Sequence, residues 1–575
     1  MIRKTIYALI LLALAYLLFI NTDAKIIIAG IAIFLIGMIF MEDGFKLFSG
    51  GILEKILSKA TNNIPKAIFT GFFSTSIVQS SSLISVIIIS FLSAGLISLS
   101  GAIGVVFGSN IGTTTTAWIV SSFGVKINIS VYAFPMIIFG VILRFSKNKT
   151  YTGLGNVLLG LGFVFLGISY MKDGFETLKA GLDLSQFAMD GYLGIFVYIC
   201  IGAIATIVIQ SSSATMALII TALVTNQILY INALELAIGA NIGTTVTAVI
   251  AAVSSNSNGK RLAVAHFIFN IITALIAILF LYQLADLVSY LSSKIGISDD
   301  NYAMKLALFH TIFNLLGVLL VSPFIYKLEA FLKTLFKDEK VSILKPKYLD
   351  EVVISVPDAA IQAIKNETIH LYDNSIEVIS HALYLHRHKY LGSHDISLVV
   401  KNSNTQINID INEFYSNKIK SLYGEIMHFS VLAQENMDED YKKRIYFYKL
   451  ASRDIVEAIK DIRELHKNIS LYLKSDNIHI KDEYNNLRIN IAKIVNIINE
   501  LKNTNNIKIL TQLEELKEDI KQLDDLRNNK IDTLIRENKI SKKMATSLIN
   551  DSAYTYNISK KLIEVAMILW IEDKK

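Results

Sequence analysis

From Met1 to about Tyr326 the chain alternates long apolar runs with short polar breaks, and after that its character changes. A membrane-crossing helix needs about 20 mainly apolar residues. On that measure the runs at 5–20, 26–41, 101–121, 130–145, 153–171, 232–253, 262–285 and 305–326 predict crossings. Two further apolar stretches, 67–97 and 194–226, are too long for one comfortable span and too short for two. Gln and Ser interrupt each of them near its middle. They predict re-entrant hairpins, two half-helices meeting inside the bilayer. Non-helical backbone at that depth is tolerated only when it is buried in protein or lines a cavity.

Beyond about Lys327 the pattern turns to long amphipathic helical periodicity, rich in Lys, Asp, Glu, Asn and Tyr. It predicts about six antiparallel helices, at 357–392, 404–433, 438–473, 478–503, 508–537 and 540–570. The expected fold class is therefore all-α. A polytopic membrane unit spans 1–330, a linker 331–350, and a soluble helical unit 351–575.

Composition agrees with two unlike halves: 575 residues, 53% hydrophobic and 18% charged, is an average that neither half resembles. The net charge of +6 is modest, and no basic stripe with interleaved aromatics supports nucleic-acid binding. The single cysteine, Cys200, excludes an internal disulfide and a cysteine metal site, and it reads as a free thiol in an apolar run. Met1 to Ile20 has the basic start of a signal peptide, but no small-x-small site follows it, so it reads as a retained first span.

Lys and Arg sort by predicted side. Arg3, Lys4, Lys46, Lys55, Lys59, Lys66, Arg144, Lys147, Lys149, Lys260 and Arg261 fall with the soluble half; Lys25, Lys126, Lys172, Lys179, Lys294 and Lys305 fall opposite. The positive-inside rule then makes the N-terminus and the soluble half cytoplasmic.

A duplication is the strongest signal. Met41-Glu42-Asp43-Gly44-Phe45 is echoed by Met171-Lys172-Asp173-Gly174-Phe175. Gln79-Ser80-Ser81-Ser82 is echoed by Gln210-Ser211-Ser212-Ser213, and Gly108-Ser109-Asn110-Ile111-Gly112-Thr113-Thr114 by Gly239-Ala240-Asn241-Ile242-Gly243-Thr244-Thr245. Gly71 with Gly202, Thr75 with Thr206 and Thr116 with Thr247 keep the same register. The copies cover about 26–125 and 153–255, and three predicted crossings separate their starting points, so the second copy is predicted to lie upside down. Inverted repeats with interrupted segments at matching positions point to a transporter site near the bilayer midplane.

The chemistry of these blocks is neutral. From Ala67 to Val125 there is no Asp, Glu, Lys, Arg or His, and from Gly191 to Gly259 there is only Glu235. Hydroxyls and amides both donate and accept. Half-helix N-termini favour anions, and freed carbonyls suit a hard cation such as sodium. Bound sodium would offset the charge of a multiply charged anion, a coupling that is reciprocal. Ser, Thr and Gln also serve as interhelical glue, but two matched runs at one spacing favour a site. Glu235 reads as an interfacial acid, with a sodium ligand as the alternative.

At these residues the chain resembles the sodium/phosphate cotransporter family, the type II group and its bacterial relatives, over about 26–326. The resemblance implies sodium-driven uptake of inorganic phosphate across a bacterial plasma membrane, with sodium as the coupling ion. It implies a substrate and sodium site at Gln79, Ser80, Ser81, Ser82, Gln210, Ser211, Ser212 and Ser213, with Asn110, Thr113, Thr114, Asn241, Thr244 and Thr245 as neighbours. His266 to Asn270 and His310 to Asn314 form a second echo also found in the bacterial family. It reads as an interhelical hydrogen-bonding pair rather than a sensor of protons or anions.

Arg453 to Ile462 resembles the signature helix of the phosphate-uptake regulator PhoU, with a weaker second copy from Asn550 to Ile558. The resemblance implies two three-helix bundles and a regulatory role, with a homo-oligomer and a phosphate-signalling protein as candidate partners besides lipid. Asp454, Glu457 and Asp461 are the candidate ligands for a divalent metal there; a solvated acidic face is the competing reading. A phosphate sensor without net transport and a carrier of another anion remain alternatives. No phosphate-binding P-loop, nucleophile elbow or His-rich metal motif supports an enzyme.

Overall fold

The structure, a computed structural model, describes residues 21–49, 56–57, 61, 63–124, 130–181, 189, 191–253, 255–336, 345–392, 395–403, 411–435, 437–504, 511–513, 515 and 530–571, with positions 15, 18 and 19. Among the described residues the fold is all-α, and no strand occurs. The chain divides into two compact units, Met1–Asp338 and Glu339–Lys575.

In the first unit, α1 is Thr22–Ser49, α2 Ile64–Val78, α3 Ser81–Ser93, α4 Leu99–Gly124, α5 Ser130–Arg144 and α6 Lys149–Gly181. Then come α7 at Gly191–Ile209, α8 at Ser212–Val224, α9 at Tyr230–Ala252, α10 at Ser257–Leu279, α11 at Leu281–Lys294, α12 at Tyr302–Val321 and α13 at Ile325–Leu335. Among the described residues, six helical stretches are long and apolar enough to cross a membrane: Ala24–Leu47, Lys149–Lys179, Gly191–Ile209, Tyr230–Ile250, Ser257–Leu279 and Tyr302–Leu335. The chain is thus a polytopic α-helical membrane protein.

Three expectations change. The predicted run 262–285 is two helices, α10 and α11, separated at Phe280. The first arm of the second hairpin, α7, has 19 residues and is long enough to cross by itself. Residues 331–335, read as linker, continue α13. The predicted span 5–20 lies outside the described residues apart from positions 15, 18 and 19.

Glycine sets how closely the helices approach. A Cβ at Gly71 would overlap the Val105 carbonyl, and one at Gly202 the Leu236 carbonyl; Gly108 meets Ile68 and Gly239 meets Ile199 in the same way. Each pair is related by a shift of 131 positions, so α2 crosses α4 as α7 crosses α9. The leading helices of the two copies pack on each other. Gly30 faces Gly167, Gly37 faces Gly160 and Gly44 faces Gly153, a series that runs antiparallel. Backbone contact of that closeness leaves no room for a side chain.

In the second unit, α14 is Pro357–Ala382, α15 Arg387–Tyr390, α16 Ile396–Asn402, α17 Ile411–Phe414, α18 Ser421–Gln434, α19 Glu439–Tyr472, α20 Ile478–Thr504 and α21 Lys542–Trp570. The predicted first helix, 357–392, ends ten residues early. Leu385 N–H donates to Ser380 O at 2.8 Å, Tyr384 takes φ 57°, and the buried Arg488 donates to Leu383 O. That is a Schellman-type ending, which stops a helix by turning one residue left-handed. Most of the predicted helix 508–537 lies outside the described residues.

Candidate functional site

The chain breaks between α2 and α3 and between α7 and α8 at a glutamine in the left-handed conformation, Gln79 and Gln210, each with φ 59°. Such a backbone is uncommon for a residue other than glycine, and it persists only when the surroundings determine it. Each glutamine still closes the last turn of its arm: Gln79 N–H donates to Thr75 O at 2.7 Å and Gln210 N–H to Thr206 O at 2.8 Å. The next residue is extended and caps the following arm. Ser80 Oγ accepts from Leu83 N–H at 3.2 Å, and Ser211 Oγ from Ala214 N–H at 3.2 Å. Each cap takes the third amide of its arm. The first two, of Ser81 and Ser82 and of Ser212 and Ser213, are the donors an N-terminus leaves without intrahelical partners. The turn after each second arm matches as well: Gly95 and Asn226, again 131 positions apart, both have positive φ.

The side chains are less symmetric than the backbone. Gln79 is 6% exposed. Its Nε2 donates to Thr115 Oγ1 at 2.8 Å and to Ser76 O, while its Oε1 accepts from Thr116 Oγ1 at 2.7 Å. Thr116 Oγ1 also lies 3.2 Å from Ser213 Oγ, so one hydroxyl joins the first break to the second. Gln210 is exposed, and its amide turns back to Ile207 O. Thr247, the counterpart of Thr116, donates to Thr244 O at 2.6 Å inside its own helix. Thr75 donates to Ser109 Oγ at 2.8 Å; Ala240 stands in Ser109's place in the second copy, and the buried Thr206 hydroxyl has no partner among the described residues.

The motif asparagines sit away from the breaks' own hydrogen bonds. Asn110 donates to Val106 O at 3.2 Å, and its Oδ1 lies 3.4 Å from His266 Nε2. Asn241 Nδ2 donates to Asn314 Oδ1 at 2.8 Å, and Asn270 Nδ2 to Asn241 O at 3.0 Å. The His-to-Asn echo on α10 and α12 therefore braces the asparagines of α4 and α9. Thr113, Thr114, Thr244 and Thr245 donate to the carbonyls of Asn110, Ile111, Ala240 and Ile242, at 2.7, 2.7, 3.0 and 2.8 Å. A hydroxyl donating in this way keeps its lone pairs for a donor or a cation.

Sequence reasoning missed three residues here. Thr115 and Thr116 belong to a run that reads as ordinary helix, although the Thr116 register with Thr247 was a signal. Glu42 Oε2 accepts from Ser80 Oγ at 3.0 Å and its other oxygen holds Lys46 Nζ at 2.8 Å; nothing in the sequence joins positions 38 apart.

In the second unit the metal reading finds no support. Lys561 Nζ lies 3.3 Å from Glu457 and 3.1 Å from Asp461, and Arg453 pairs with Asp454 at 3.3 Å. An ammonium fills the place between the carboxylates that a cation would need. Among the described residues no group of three His, Cys, Asp or Glu could hold a metal. Burial raises the Asp454 carboxyl above its usual range, and Arg453 opposes that. In the weaker second copy, burial pushes Asp551 up to about 6, against hydrogen bonds from Tyr484 and Asn468. Thr555 donates to the Asp551 carbonyl, and the Asp551 carboxylate accepts from Tyr484 OH at 2.6 Å.

Comparison with known protein families finds a match within the first unit. The profile of the Na+/Pi-cotransporter family matches residues 33–173 and 184–298. The uncharacterized protein YqeW of Bacillus subtilis is 30% identical over 270 residues, 46% of this chain and 84% of that protein. The "Putative inorganic phosphate export protein YjbB" of Escherichia coli is 28% identical over 358 residues, 60% of this chain and 62% of that protein. A protein of the same description from Salmonella typhimurium is similar to the same degree. No solved structure matches. The two matched family segments contain both breaks and both asparagine motifs, and the chain belongs to the Na+/Pi-cotransporter family.

Proposed function

We propose that this protein carries inorganic phosphate together with sodium, and that the two breaks form one site for both. The observation that carries the reading is the Gln79–Thr116–Ser213 chain, which ties one break to the other through a single hydroxyl. The amides and hydroxyls of Ser81, Ser82, Ser212 and Ser213 offer donors from two half-helix N-termini, the arrangement that suits an oxyanion. Gln79 and Gln210 turn the chain at each tip. Thr113, Thr114, Thr244 and Thr245 already donate to carbonyls, so their free lone pairs suit sodium better than phosphate. Asn110 and Asn241 hold the fourth helix of each repeat, α4 and α9, in place. The antiparallel seam of α1 on α6 supports an inverted pair of repeats, the arrangement in which one half rocks against the other about a central site.

In this reading Ser80 and Ser211 act as caps first and as ligands second. The helical unit, through its resemblance to PhoU, is taken as a cytoplasmic regulator, and the membrane as a bacterial plasma membrane.

Labelled phosphate should enter proteoliposomes carrying the purified chain only under an inward sodium gradient. Uptake that ignores sodium sinks the coupling, and phosphate binding without flux in either direction favours a sensor. Inhibition by sulfate or an organic anion at equal concentration would change the substrate. The description of the Escherichia coli relative as an export protein favours a second reading, outward movement. Reversing both gradients in the same vesicles tests it.

A further inference from the structure

We propose that Glu235 and Asn232 form a sodium site in the second repeat, separate from the two breaks. The proposal rests on the sodium-coupled reading above and deepens it.

Both residues lie in the first turns of α9, and both are sealed from solvent: Asn232 is 2% exposed and Glu235 3%. Asn232 Nδ2 donates to Glu235 Oε2 at 3.1 Å. The other end of the same amide, Asn232 Oδ1, is buried with no hydrogen-bond partner among the described residues. Native structures leave few buried polar atoms in that condition, and each calls for an explanation such as a missing ion.

The scaffold does not need this pair. A shift of 131 positions places Gly101 where Asn232 stands and Gly104 where Glu235 stands. In the first repeat those glycines let the helices close: a Cβ on Gly104 would come within 3.0 Å of Ala67 Cβ, and one on Gly101 within 2.7 Å of Thr61 O. The second repeat has an acid and an amide where the first has none.

The donor set fits a small hard cation. A carboxylate and a neutral amide oxygen are both oxygen ligands. Glu235 is also the one charged side chain between Gly191 and Gly259. It supplies the full negative charge that hydroxyls and amides at the breaks lack, and acids inside membrane helices mark ion pathways. Glu235 precedes Asn241 by six positions on α9, about 9 Å along the axis. A sodium ion there sits on the same helix as the second asparagine motif and draws in an anion by simple attraction.

The test compares the full-length wild type with E235Q, N232A and the double variant N232G/E235G, which copies the first repeat and so suits a scaffold that already takes glycine there. Phosphate uptake into proteoliposomes is titrated with sodium chloride against choline chloride, at several pH values. The melting temperature in detergent is titrated with the same salts as a readout without flux. The site predicts that half-saturating sodium rises at least about tenfold in E235Q and the double variant. Their sodium-dependent rise in melting temperature should disappear, while phosphate half-saturation at saturating sodium holds. A sodium-responsive wild type matched by folded E235Q or N232G/E235G in both readouts overturns the site alone. A variant that loses only pH dependence makes Glu235 a proton site and overturns it as well. A wild type that ignores sodium in both readouts overturns the transport reading itself.

Discussion

Gln79 and Gln210 hold the same φ of 59°, yet the first is buried in a web of hydroxyls and the second is exposed with its amide turned back on its own helix. One replacement bears on it directly: Thr115, which accepts from Gln79, is Val246 in the second copy. A second, Ser109 to Ala240, removes the partner of the neighbouring threonine instead. The helix crossings beside the breaks are kept by glycines whose Cβ positions would strike the neighbouring carbonyl, and those contacts recur in both copies. The polar contacts recur only in part. The duplication preserved the shape of the breaks and let their bonding diverge.

The sharpest way to break that comparison is chemical. In a C200S background, Q210C should react with a small water-soluble thiol reagent under conditions that leave Q79C unmodified; equal labelling would mean the two environments are alike. Next in size is the paired substitution Gln→Ala. Both variants should lose phosphate uptake, but Q79A should also lower unliganded stability by about 1–3 kcal/mol, because it removes the buried bonds of the Gln79 amide to Ser76 O, Thr115 Oγ1 and Thr116 Oγ1. Q210A should leave thermal unfolding in detergent close to wild type.

Third come T116V and T247V. Thr116→Val cuts the link between breaks and leaves Gln79 Oε1 without its donor, at a cost of about 1–3 kcal/mol. Thr247→Val removes only a bond within its own helix and should change the unfolding midpoint much less. The smallest effect comes from repairing the asymmetry. A240S gives Thr206 the partner that Ser109 gives Thr75, and should add about 0.5–1.5 kcal/mol, while S109A should subtract a similar amount. A destabilised A240S would show that the second copy has no room for the bond.

The placing of the breaks was legible because the signal was doubled. Gln79 and Gln210 recur at one distance from Asn110 and Asn241, each interrupting an apolar stretch too short for two spans. The bracing role of His266, Asn270 and Asn314 was also readable as interhelical bonding, though not its targets. Thr115 and Thr116 were hidden because threonines in a helix commonly bond back to their own backbone, and only packing shows which ones turn outward. Glu42 was hidden by its distance along the chain from Ser80. The metal reading of Asp454, Glu457 and Asp461 lacks support for the same reason in reverse: Lys561, about a hundred positions away, lies between Glu457 and Asp461, which their spacing alone could not show. Helix ends were the other loss. Tyr384 carries no sequence mark of a left-handed turn, and its φ is held by tertiary bonds from Arg488 to the neighbouring carbonyl.

The seam between α1 and α6 carries a further consequence. Gly30 on Gly167 and Gly37 on Gly160 are the same contact met twice, since each partner occupies in one copy the place that the other occupies in its own. A surface of that kind is self-complementary, as in a two-fold homodimer. A substitution at Gly37 and one at its equivalent Gly167 should therefore do equal harm, as should one at Gly30 and one at Gly160. The two copies meet along this line through matching glycines.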